Sequence, residues 1–229
     1  MDNSNNDDRD NENDEEENEE SSIRLPLKVG RVTELPKDLG SVPREIRLSD
    51  EFHKNSHEAW KCAKESGNEW GYFIHLDEEG QLIAGKLKEG TPHEWIRFEE
   101  YVKARKQDKT IQGLMHTHLE EETVFSPSNI GFFLAAKDSI CKCMDPQGNY
   151  LIRLRTEQTD PPWEGIFEEA TQAYTAVARE KTKQHIMENE LDRKEAIRRS
   201  MVEAMIEVCK QYNIALYTGT SKKAAKKVG

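Results

Sequence analysis

The spacing of apolar positions predicts a mixed domain between residues 49 and 158. Ser49 can cap a helix, Asp50 and Glu51 suit its first turn, and Phe52, Ser56, Ala59, Trp60 and Ala63 recur at helical spacing until Gly67. Two strands follow, 70–76 and 81–87, with Asp77-Glu78-Glu79-Gly80 as a hairpin turn between them. Trp95, Phe98, Val102 and Ala104 carry a looser helical stripe over 94–106. Ile111 to Met115 is a buried strand that runs directly into His116-Thr117-His118. Ser126-Pro127-Ser128 reads as a cap followed by proline at the first helical position, and Ile130, Phe132, Phe133 and Leu134 continue that helix to about Lys137. Residues 139–144 and 149–155 form a second hairpin around Asp145-Pro146-Gln147-Gly148. Strands around a few helices make the expected class α+β, a mixed sheet flanked by helices.

The flanks differ in character. Residues 23–48, with Pro26, Pro36 and Pro43, read as an extended arm with turns. Asp160-Pro161-Pro162 breaks the chain, and a helix begins at about Trp163. Further on, Ile197, Met201, Met205, Cys209 and Tyr212 form one apolar stripe that needs a partner surface. The heptads are neither long nor regular enough for a coiled coil, so residues 159–220 are expected to be a C-terminal helical extension packed on the domain. Asn213 to Tyr217 suits a last strand, and residues 221–229, with four lysines, a short basic tail.

Charge sharpens this division. Residues 1–22 hold eleven carboxylates against Arg9 alone, so −10 of the chain's net −11 lies there and the rest is nearly balanced. A segment so rich in Asn and Glu buries too little apolar surface to offset its ordering entropy, and it is read as a disordered acidic tail. The balanced body argues against a nucleic-acid footprint, so such a partner is not expected. No run of 18 apolar residues spans a bilayer, and the N-terminus is the opposite of a secretory signal. With four cysteines in no disulfide framework, the expected location is a reducing cytoplasm.

The densest chemical signal is His116-x-His118 at a strand end. Residues two apart on a strand point to one side, so both imidazoles can meet one ion while Thr117 faces away. Glu69 opens the strand 70–76, and a metal-assisted hydrolase needs a general base of this kind beside its ion. Ser126 follows His118 by eight residues and Asn129 by eleven. Cys141 and Cys143 share one strand face; lacking a second cysteine pair to complete a tetrahedral site, they read as small buried hydrophobes. His53, His57, His75, His93 and His185 have no partner at a recognisable spacing.

Together, Glu69, His116, His118 and Ser126, with the run Ser126-Pro127-Ser128-Asn129-Ile130, resemble the motif of the JAB/MPN/JAMM metalloprotease family over roughly residues 65–156. The resemblance implies a cytidine-deaminase-like mixed sheet flanked by helices. It implies zinc held by His116 and His118, Glu69 as the base that activates water, and Ser126 as a donor to the developing oxyanion. Two positions depart from the pattern: Asn129 stands where the family has an aspartate as third zinc ligand, and Leu119 where a proline often follows the second histidine. An amide is a weaker donor to a dication than a carboxylate, and Glu120, Glu121 or Glu122 could offer a replacement. The family's chemistry implies an isopeptidase or peptidase acting at the C-terminus of a ubiquitin-like or sulfur-carrier protein, with activating and conjugating enzymes as further partners. The alternative is a catalytically silent scaffold of the same fold, which Asn129 favours.

Overall fold

The computed structural model describes residues 22–24, 35–47, 50–76, 78, 82–120, 126–159, 161–189, 191–219 and 224–228. The acidic segment up to Ser21, residues 25–34 and 48 of the proline-bearing arm, the helix cap Ser49, most of the first hairpin turn, and Glu121 and Glu122 lie outside these residues.

Along the chain the elements are β1 (Ser22–Arg24), β2 (Glu45–Arg47), α1 (Asp50–Ser66), β3 (Trp70–Leu76), β4 (Leu82–Ala84), β5 (Lys88–Glu89), α2 (Phe98–Gln107), β6 (Ile111–Thr117), α3 (Pro127–Ala135), β7 (Ile140–Met144), β8 (Tyr150–Arg155), α4 (Ile166–Asn189), α5 (Arg193–Gln211), β9 (Ile214–Gly219) and β10 (Ala224–Val228). The strands form one sheet in the order β1-β2-β10-β9-β8-β7-β6-β3-β4, with β5 also on β3. Two pairs, β6–β7 and β1–β2, are parallel and the others antiparallel. The class is α+β, as the pattern of apolar positions indicated.

Each face of the sheet carries its own core. On one, Phe52 and Ala59 of α1 cover Tyr72, Ile74, Met115, Ile152 and Tyr217. On the other, α2, α3, α4 and α5 cover Leu114, Cys141, Cys143, Leu151 and Leu216. The period of two decides the side: Leu114 faces the four helices while its neighbour Met115 faces α1. At Gly113 a side-chain carbon would sit 1.7 Å from the Ile140 carbonyl oxygen, so glycine is what permits β6 and β7 to approach there.

Three boundaries differ from the sequence reading. The strand expected over 81–87 leaves the ladder after Ala84; Gly85 turns against His75, and the chain rejoins β3 only at Lys88. The helix expected over 94–106 begins at Phe98, because Thr91 Oγ1 accepts from the amides of His93 and Glu94 and holds the preceding residues in a turn. The C-terminal helices pack on the same face of the sheet as α2 and α3. α4 and α5 are an antiparallel pair, with Asp192 capping α5 through the amides of Lys194 and Glu195. Met205, Cys209 and Tyr212 of the expected stripe are buried, and α5 leads into β9 at the centre of the sheet. Residues 224–228, expected in a basic tail, form β10 between β9 and β2. Ala225 is fully buried there, while the next residue, Lys226, is exposed.

Candidate metal centre

A parallel strand pair joined by a helix places its ligands at the carboxyl ends of its strands, and β6-α3-β7 follows that rule. His116 and His118 stand at the end of β6, each only 8% exposed. The His118 amide donates to the Met144 carbonyl at 2.7 Å, which carries the ladder one residue past Thr117 and fixes the second ring. Thr117 is buried on the opposite face, where its hydroxyl meets the Trp70 amide at 2.9 Å. That bond ties the start of β3 to the end of β6. Glu69 is thereby brought beside the histidines, its own backbone clamped by Gly90 and Thr91.

The resulting geometry is close. The two Nε2 atoms face each other at 3.1 Å, and Glu69 Oε1 lies 3.1 Å from His118 Nδ1. Asn129, in the first turn of α3, brings its amide to 3.2 Å from His118 Nε2. Ser126 caps the same helix by position, yet its hydroxyl pairs with that of Ser128 at 2.8 Å instead of capping the backbone. Glu69, His116, His118, Ser126 and Asn129 all line one cleft of about 420 Å³, walled by Trp95, Phe98, Phe132 and Phe167. Glu120 is exposed on its rim. All five residues named from the sequence therefore meet at one place.

The sequence reading passed over a sixth. Cys143 is the register partner of His116 across the parallel β6–β7 ladder, and its Sγ lies 3.6 Å from His116 Nε2. Among the described residues, His116, His118 and Cys143 are the one group of histidine, cysteine and acidic side chains whose donor atoms cluster closely enough to share an ion. Cys141 and Cys143 are both buried core residues, as expected; Cys143 in addition faces the imidazoles. Nothing in the local sequence reveals this, since the register between residues 27 apart on two strands is set by the fold.

Donor chemistry and spacing fit a divalent metal. With Zn–N near 2.0–2.1 Å and Zn–S near 2.3 Å, a tetrahedral ion separates two nitrogens by about 3.3 Å and a nitrogen from a sulfur by about 3.5 Å. The separations here are 3.1 and 3.6 Å. Two buried imidazole nitrogens at this separation share either a proton, in an N–H···N hydrogen bond, or a metal ion. Without a metal the proton is on His118. Burial alone would push this imidazole down, but Cys143 and Glu69 hold it up at about 9. Cys143 is shifted the opposite way: burial would raise its thiol, and Cys141 and the two histidines keep it well below the usual range. The Glu69–His118 contact is the hold that a metal-ligating histidine commonly receives on its other ring nitrogen.

Trp95 completes the site from the turn ahead of α2. Its indole lies nearly parallel to the His116 ring, at 10° with centroids 6.5 Å apart, and donates to the Lys88 carbonyl at 3.0 Å. It fits because residue 71 is glycine: a side-chain carbon there would come within 2.6 Å of the indole and 2.4 Å of the Met115 carbonyl. In comparisons with known proteins, no family model, no curated protein and no solved structure matches this chain.

Proposed function

We propose that the protein is a zinc-dependent isopeptidase or peptidase of the JAB/MPN/JAMM kind, acting at the C-terminus of a ubiquitin-like or sulfur-carrier protein or its conjugate. One observation carries the proposal: residues as distant in sequence as Glu69 and Asn129 converge on one cleft with His116 and His118 face to face. Among the described residues no helix is long and apolar enough to cross a membrane, in keeping with a protein substrate met in solution.

In this reading His116, His118 and Cys143 hold the ion, and Asn129 stands beside His118 as a neutral neighbour. The thiolate supplies the one formal negative charge that the family pattern takes from aspartate. Zinc, when bound, supplies Lewis acidity toward a carbonyl and toward water. Glu69 orients His118 through Oε1 and takes the proton from the attacking water. Ser126, released from Ser128, donates to the oxygen that gains charge as the peptide carbonyl is attacked. Trp95, Phe98 and Phe132 exclude bulk water from the cleft and strengthen these contacts.

Elemental analysis of purified protein should find stoichiometric zinc. Glu69→Gln should lower cleavage of a ubiquitin-like fusion roughly 100-fold or more, the usual contribution of a general base. Zinc at trace level, or cleavage that survives this substitution, defeats the reading. A silent scaffold remains the second reading, favoured by Asn129 and by the engagement of Glu69 with His118. Asn129→Asp separates the two: a scaffold gains tight zinc and cleavage only after the change.

A further inference from the structure

Beside the metal centre, in the core on the same face of the sheet, an arginine is buried. Arg153 of β8 has no exposed surface, pairs in register with Cys141 and reaches diagonally toward Cys143. Its Nη1 donates to Cys143 Sγ at 3.5 Å, and its Nη2 to the sulfur of Met205 on α5 at 3.7 Å. Cys209, one turn further along α5, lies within hydrogen-bonding reach of the same guanidinium. The side chain thus crosses the core beneath the site, surrounded by sulfur.

A guanidinium does not shed its proton, so its charge is present in the folded interior and must be answered there. Methionine and neutral thiols are weak acceptors for it. Of the three sulfurs, only that of Cys143 also faces two imidazole nitrogens. As a metal-bound thiolate it becomes an anionic acceptor, and the N–H···S bond from Arg153 then has a charged partner on each side.

We propose that Arg153 is a positioning residue of the metal centre. It holds the Cys143 sulfur toward His116 by hydrogen-bonding it from the core side. The bond also withdraws electron density from the thiolate, which leaves the ion a stronger Lewis acid than a free thiolate would. This inference rests on the reading of Cys143 as a ligand; it does not depend on which bond the protein cleaves.

The test uses the full chain loaded with Co(II), with absorption recorded and affinity measured by competition with a chromophoric chelator. The wild-type protein should show a sulfur-to-cobalt charge-transfer band that Cys143→Ser removes. Arg153→Met should move that band to lower energy and weaken cobalt binding about 10- to 100-fold, the range found when partners of metal ligands are lost. Met205→Leu, which deletes the guanidinium's other sulfur contact, should leave the band in place. If Arg153→Met fails to fold, Arg153→Lys decides, because an ammonium cannot reproduce the fork of the guanidinium; a smaller shift of the same sign is expected. A folded residue-153 variant with the wild-type band and affinity overturns the proposal while leaving the metal site standing. A wild-type protein with no sulfur-to-cobalt band overturns both.

Discussion

Replacing Lys142 by methionine is expected to stabilise the protein at neutral pH and to remove a pH dependence that the lysine imposes. Lys142 lies on β7 between the two inward-facing cysteines, so its own side chain enters the opposite core beneath α1, where it is 1% exposed. Among the described residues its Nζ has no hydrogen-bond partner; what it meets are the rings of Tyr150 at 4.4 Å and Phe52 at 5.9 Å. Ring faces return at most about 2 kcal/mol to a desolvated cation. Burial accordingly lowers its pKa from 10.5 to about 7. The unfolded chain then binds more protons than the folded one between those values, so the lysine's contribution to stability rises with pH across that window. It is complete above 10.5 and lost as pH falls toward 7. Each full unit is worth about 1.4 kcal/mol, and the folded lysine is half protonated at pH 7, so the difference in unfolding free energy between Lys142→Met and the wild type should shrink by roughly 2 kcal/mol from pH 7 to pH 9. Urea unfolding of both proteins at these two values measures it, and groups common to the two proteins cancel. A difference that stays constant with pH refutes the reasoning, for it would mean that the ammonium remains charged and solvated.

Zinc affinity should fall by about tenfold for each pH unit below 9, because the ion must displace the proton that Cys143 and Glu69 hold on His118, whose pKa is about 9. Isothermal titration in buffers of different ionisation enthalpy reads the released proton, and an affinity flat from pH 6 to 9 contradicts the assignment. Gly71→Ala should cost about 1–3 kcal/mol by overpacking against the Met115 carbonyl and the Trp95 indole. It should also increase the solvent exposure of Trp95, seen as a red shift in fluorescence; wild-type stability and emission together would show that the indole does not rest on residue 71.

The sequence carried the local part of this architecture well. Strands 70–76 and 111–115 were visible as apolar runs, the second extending to Thr117 in the fold, and Ser126-Pro127 marked the start of α3 to within a residue, because capping and proline placement are properties of neighbouring residues. Glu69, His116, His118, Ser126 and Asn129 could be named together because their residue types and spacing resemble a metalloprotease pattern. Cys143 and Arg153 could not, since their roles depend on the offset between β6, β7 and β8, and a run such as Ile-Cys-Lys-Cys-Met has the same apolar signature in any register. For the same reason β10 read as a basic tail. Two of its five residues are lysines, and only its position between β9 and β2 gives Ala225 something to pack on.

The interleaving of the strands bears on how the chain is made. β10 separates β2 from β9, and β9 is the outer neighbour of β8, so the earliest and latest strands of the described chain are adjacent in space. On the ribosome, β8 must wait with an open edge and a bare apolar face until α4, α5 and β9 have emerged. That interval invites pairing with other nascent chains. Translation speed across residues 156–213 should therefore influence the yield of native protein, whereas pauses within β3 to β7, which find their partners nearby, should matter less.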